Sequence, residues 1–140
     1  MITRFNLRTY GVLIRDRKVL VSAEMFEGHH LMKYPGGGVE YGEGLHEALI
    51  REWDEELQVR IEVGPLIYLT EEFIQSAFRE EDQIVCFYYQ VYTDMQIAGR
   101  KTEHEIQWLP LDQSVEEIGF TFPPEKKVFQ ILQERFSDKE

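Results

Sequence analysis

The sequence predicts a mixed α/β fold. Three observations predict it: β-rich apolar runs recur along most of the chain, a segment between Leu45 and Leu57 has helical periodicity, and a second helical stretch follows Pro123-Pro124. At 140 residues the chain can bury one hydrophobic core without disulfides or structural metal. Its 9 Phe, 7 Tyr and 2 Trp supply the aromatic bulk that disordered chains lack. With no internal repeat, low-complexity tract or long Pro/Gly/Ser linker in the sequence, residues 1–140 are read as one domain.

Tyr10-Gly11-Val12-Leu13-Ile14 and Val19-Leu20-Val21 flank the charged turn Arg15-Asp16-Arg17-Lys18, which predicts a hairpin. Glu27-Gly28-His29-His30 reads as loop. An extended segment then enters Tyr34-Pro35-Gly36-Gly37-Gly38, where three successive glycines exclude regular helix. The helix from Leu45 to Leu57 comes next. Strands are expected at Ile61-Glu62-Val63, Leu66-Ile67-Tyr68-Leu69-Thr70, Ile84 to Tyr92, and Ile106-Gln107-Trp108-Leu109. The last helix is expected to start after Pro123-Pro124, carry Val128, Phe129, Ile131 and Leu132, and fray near Phe136.

Charge narrows the partners. With 15 basic and 26 acidic side chains the formal net charge is -11, which repels a nucleic-acid backbone and excludes long nucleic acid as a partner. A small phosphorylated substrate would meet the same repulsion, so binding one demands local cations from Lys, Arg or a divalent metal. The lone cysteine, Cys86, has no disulfide partner in the chain and lies in the apolar run Ile84-Val85-Cys86-Phe87-Tyr88-Tyr89, where it reads as a core residue. Met1 to Arg8 lacks the apolar stretch of a signal peptide and no run reaches membrane-spanning length, so a cytoplasmic protein without a membrane partner is expected.

On a helical wheel at about 100° per residue, the 45–57 segment separates into two arcs. Leu49, Ile50, Trp53 and Leu57 form an apolar stripe, and Glu52, Glu55 and Glu56 share another face, with Ala48 leaving room above it. Glu52 stands three and four residues from Glu55 and Glu56, spacings at which like charges repel by a few tenths of a kcal/mol per pair, on the order of 0.2–0.5. Arg51, four residues from both Glu47 and Glu55, cannot neutralise all of them. A divalent cation can, and hard carboxylate oxygens suit Mg²⁺ or Mn²⁺ rather than Zn²⁺. Taken alone, the acidic arc reads more readily as a solvated helix face. The glycine-rich turn before it can bring backbone groups close to a phosphate or metal, which makes the combination more specific than either part.

Together these residues resemble the Nudix box, G-x₅-E-x₇-R-E-U-x-E-E-x-G-U, where U is bulky and apolar. Gly37 begins it, Glu43 follows after five residues, and Arg51-Glu52 after seven more. Trp53, Asp54, Glu55-Glu56, Leu57, Gln58 and Val59 complete a box over 37–59. Tyr34-Pro35-Gly36 and Val39-Glu40-Tyr41-Gly42-Glu43 resemble the usual approach to it. Gln58 departs from the pattern, because a glycine there would stop the helix in a left-handed conformation at no steric cost. Trp53 at a U position is read as a packing variant.

The resemblance to the Nudix (MutT-like) hydrolase family implies an α/β/α sandwich with a mixed β-sheet between helices. It implies Mg²⁺- or Mn²⁺-dependent hydrolysis of a diphosphate linkage in a nucleoside diphosphate derivative: a nucleoside triphosphate, nucleotide sugar or related compound. Carried over residue by residue, it implies Glu52, Glu55 and Glu56 as metal ligands with the Gly36 carbonyl, Arg51 orienting Glu52, Glu52 as a candidate general base, and Glu43 supporting the loop and helix. A further glutamate beyond the box often completes the metal site in this family, and Glu105 and Glu103 are the candidates. His29, His30 and His104 are weighed as substrate contacts but read as solvated, and Phe87, Tyr88, Tyr89 and Tyr92 mainly as core filling. Substrate-binding residues are not assigned. Relatives commonly dimerise, which makes a homodimer a further expectation, and a non-catalytic Nudix-like nucleotide-sensing domain is the alternative reading. A prenyl diphosphate isomerase on the same fold finds no support in a core-lying Cys86.

Overall fold

The structure is a computed structural model that describes residues 1–97, 100–101 and 104–136. In chain order its elements are β1 (Arg4–Val12), β2 (Ile14–Arg15), β3 (Lys18–Phe26), β4 (His29–Lys33), β5 (Gly36–Gly38), α1 (Leu45–Leu57), β6 (Glu62–Leu69), β7 (Asp82–Tyr92), β8 (Arg100–Lys101), β9 (His104–Pro110), α2 (Val115–Ile118) and α3 (Pro123–Arg135). Two sheets result. One is mixed, in the order β5-β1-β7-β6, with β1 antiparallel to β5 and parallel to β7. The other is antiparallel, in the order β2-β3-β9-β8, with β4 also paired to β3.

The alternation of β1 decides where the helices go. Tyr10 and Val12 point into a core with Tyr88 and the α3 residues Val128, Phe129 and Leu132. Leu13 belongs to a second core with Leu20 and the α1 residues Leu49, Trp53 and Leu57. Gly11 faces the same way, and a Cβ there would stand 2.6 Å from the Trp53 indole nitrogen. The helices therefore lie on opposite faces of the mixed sheet, the layered arrangement expected from the sequence. Among the described residues no helix is long and apolar enough to cross a membrane.

Several boundaries differ from the sequence expectations. The first hairpin turns on Asp16 and Arg17, both left-handed (φ 52 and 62), and its strands extend well beyond the apolar runs that marked them. A second hairpin turns on Glu27 and Gly28 (φ 49 and 79), placing His29 and His30 in β4 opposite Phe26 and Met25 rather than in a loop. Backbone pairing to β3 overrides a local sequence with no apolar alternation. The two strands expected between Ile61 and Thr70 are one, β6, with register shifts around Gly64-Pro65, where proline cannot donate to the ladder. Ile50, expected on the apolar stripe, is 38% exposed, while Ala48 is fully buried. The single turn α2 was too short to show periodicity, and α3 begins with proline at its first helical position.

Candidate active site

The site grows from close approach of β5 to β1 and of α1 to both. Thr9 and Tyr10 pair with Gly37 and Gly36, and a side chain on Gly36 would run into the Thr9 carbonyl. On Gly37 a Cβ would stand 2.5–2.6 Å from the Glu52 carboxylate, so a hydrogen in that place is what lets the acid lie against the strand. The Pro35 carbonyl accepts from the Gly11 amide at 2.9 Å and from the Trp53 indole N–H at 3.0 Å, tying loop, strand and helix at one atom. Trp53 therefore packs and hydrogen-bonds on the buried side of the helix.

Arg51 organises the acidic face. Its Nε and Nη2 bond the two oxygens of Glu43 at 2.5 and 2.9 Å, a two-pronged arrangement that fixes the guanidinium plane. Nη2 also donates to the Gly38 carbonyl at 3.0 Å, and Nη1 to Glu52 at 3.2 Å and Glu55 at 3.3 Å. Glu47, the other acid at helical spacing, instead accepts from the Gly44 amide at 2.7 Å and caps the helix. The Arg51 hydrogen bond, helped by the Glu40 amide and opposed by burial, holds the Glu43 carboxyl down to about 2. Glu43 thus remains an anion anchoring Arg51, which in turn orients Glu52.

Glu52, Glu55 and Glu56 emerge on one face but in different surroundings. The Glu52 side chain is 16% exposed and that of Glu55 59%. Burial pushes the Glu56 carboxyl up to about 7, with Glu52 and Glu24 adding to the rise and Lys33 and the Gly36 backbone opposing it. Among the described residues no three acids converge at ligating distance; Arg51 takes Glu52 and Glu55 instead. The donor set nevertheless fits a hard divalent cation: carboxylate oxygens on one helical face, one lying against a side-chain-free strand, and a buried like-charge pair that a cation would relieve.

Gln58 ends α1 in the left-handed conformation (φ 56, ψ 40) that the family pattern gives to glycine, its N–H bonded to the Asp54 carbonyl. The stop is kept despite the side chain. Glu105 is exposed on β9, opposite Ala23 and Arg100, while Glu103 lies outside the described residues. His29 meets the Phe78 ring edge at 5.7 Å, and His30 is exposed. The backbone of His104 opens β9. Cys86 is buried, and burial pushes its thiol up to about 11, as for an inert core cysteine. Tyr88 fills one core, and Phe87 and Tyr89 the other.

Two cations beside this site escaped sequence reading: Arg8 of β1 and Lys33 of β4. They flank the Tyr10 ring at 5.7 and 5.6 Å. The only forewarning was the demand that a strongly acidic chain keep cations near any phosphate.

The fold and the acid-bearing helix define a Nudix-type hydrolase. Residues 6–130 match the NUDIX domain, and the chain belongs to that family. Solved structures agree at the level of fold. The E. coli ORF135 protein has a TM-score of 0.77 at 19% identity, over 98% of this chain and 96% of that one. The MutT protein from Methanosarcina mazei Go1 reaches 0.75 at 18%, over 99% of both chains. A MutT NUDIX hydrolase from Burkholderia pseudomallei reaches 0.73 at 18%, over 90% and 96%. No curated protein matches significantly.

Proposed function

We propose that the protein hydrolyses a diphosphate linkage in a nucleotide-derived substrate with the aid of Mg²⁺ or Mn²⁺. The observation that carries this reading is the chain of contacts Glu43–Arg51–Glu52, which aims one carboxylate across Gly37 while Glu55 and Glu56 share its face. Glu52, Glu55 and Glu56 with the Gly36 carbonyl would hold the metal, and Glu105 is the further candidate. A bound divalent ion supplies charge compensation for the phosphoryl oxygens and acidifies water.

The chain's own groups do the positioning. Glu43 fixes the guanidinium plane of Arg51, and Arg51 fixes the Glu52 oxygen that it binds. Glu52 accepts a proton from water as the water oxygen bonds to phosphorus, and the bridging oxygen leaves with the electron pair of the broken P–O bond.

The test is incubation with Mg²⁺ and a panel of nucleoside triphosphates and nucleotide sugars, with phosphate or pyrophosphate release as readout. Turnover of at least one compound, lost on chelation and in Glu55→Gln and Glu56→Gln, is expected. Tight binding without turnover of any compound would favour a nucleotide sensor, and activity surviving both substitutions would show that the metal site lies elsewhere.

A further inference from the structure

Lys33 is buried at 7% exposure, yet among the described residues its ammonium donates no hydrogen bond; its ion pair with Glu24 is long, with Nζ 4.0 Å from Oε1, and Glu56 also acts on it. Arg8, partly buried, spends its Nε on the Tyr10 hydroxyl at 2.6 Å, and its two terminal nitrogens donate to none of the described residues. Neither the Lys33 ammonium nor the terminal Arg8 nitrogens are among the fully buried side-chain atoms that lack a partner, so these charged donors reach solvent, where an incoming anion can meet them.

The two cations come from different sheets and meet at one ring. Arg8, Tyr10, Cys86 and Tyr88 lie side by side on the parallel pair β1 and β7, forming a floor. Lys33 reaches that floor from the end of β4, and Glu52 and Glu56 are close enough to act electrostatically on Arg8 and Lys33 respectively. On the α3 side the buried acid Glu125 is pushed up to about 8 by burial, which favours its neutral form and weakens its compensation of the cations. A metal-filled glutamate face would no longer neutralise them either.

We propose that Arg8 and Lys33 form an anion clamp over Tyr10 that holds a phosphate of the substrate additional to the two joined by the cleaved linkage. The substrate class is then a triphosphate, or a diphosphate whose second half is itself phosphorylated. This deepens, and rests on, the hydrolase reading above. Arg8 supplies an open planar fork and Lys33 a point charge, complementary donors for a tetrahedral oxyanion.

The probe is inorganic pyrophosphate, titrated calorimetrically at pH 7 in EDTA so that the metal site plays no part. The wild type is expected to bind it, with Arg8→Met and Lys33→Met each weakening binding about tenfold or more, and Glu56→Gln, which removes a negative charge that acts on Lys33, not weakening it. Circular dichroism checks folding. In the wild type, pyrophosphate should also shift the Arg8 Nε–H resonance, a readout that survives if a variant does not fold. In Mg²⁺, wild-type kcat/KM should favour a nucleoside triphosphate over a nucleotide sugar of the same base, and both Met variants should erase that preference. Absence of pyrophosphate binding, or binding indifferent to both Met variants, overturns the clamp even if Mg²⁺-dependent turnover stands. Conversely, lost binding in the Met variants alongside turnover that survives both Glu55→Gln and Glu56→Gln upholds the clamp and sinks the metal-site reading.

Discussion

Gly37 and Glu52 occupy one space: the hydrogen on Gly37 faces a carboxylate that would lie 2.5–2.6 Å from any Cβ placed there. Glu52 is therefore positioned from below by a missing side chain and from the side by Arg51. Gly37→Ala forces the acid off that position while leaving the buried stripe of α1 untouched. A fall of about a hundredfold in kcat is expected with little change in melting temperature. Unchanged kcat in a folded variant would mean that the placement of Glu52 is irrelevant to turnover.

Arg51 touches Glu43, Glu52, Glu55 and the Gly38 carbonyl together. Lysine keeps the charge but cannot grip Glu43 by two prongs while reaching Glu52. Arg51→Lys is expected to lose on the order of 10- to 100-fold in activity, as when the supports of a metal ligand are removed. Activity equal to wild type would show that charge alone suffices.

Glu56 combines burial with two like-charged neighbours, so an added cation should stabilise the fold. With Mg²⁺ at 100 times its Kd the wild type gains about 2.7 kcal/mol over its state in EDTA. Glu56→Gln should melt higher than wild type in EDTA and gain much less from Mg²⁺. Equal Mg²⁺-induced shifts in the two proteins would remove Glu56 from the ligand set.

Burial pushes the Glu125 carboxyl up to about 8 from an ordinary 4.5, against the pull of Lys33 and the Phe122 amide. A folded-state value above the unfolded one means that its stabilising contribution is complete below pH 4.5 and disappears as pH rises through 8. Glu125→Gln mimics the protonated acid at every pH. Its melting temperature should match wild type near pH 5 and exceed it increasingly toward pH 9; a gap that ignores pH contradicts the assignment.

Local order was legible where it repeats at short range. The helix Leu45–Leu57 declared itself by its apolar spacing, and the acids and Arg51 by theirs. The spacing did not say that Glu47 would cap Gly44 instead of pairing with Arg51, because that choice depends on the loop geometry between Glu40 and Gly44. Lys33 was hidden for a different reason. It becomes a site residue only when β4 is folded against β3 and brought over Tyr10, a contact between sheets that leaves no periodic trace. His29 and His30 were misplaced because pairing with β3, and not local preference, makes their segment a strand.

The parallel register of β1 on β7 also bears on how the molecule is made. Arg4 meets Asp82 at a sequence separation of 78, and Arg8 meets Cys86 at the same offset. During synthesis the first strand must wait, one edge unpaired, until β7 has left the ribosome, whereas its antiparallel neighbour β5 arrives much sooner. Closing so long a loop is entropically slow. The carboxylate helix can therefore dock early on a half-built sheet, and the floor beneath Arg8 and Tyr10 is completed late, which makes the nascent edge of β1 the point where a chaperone or a stray strand would first take hold.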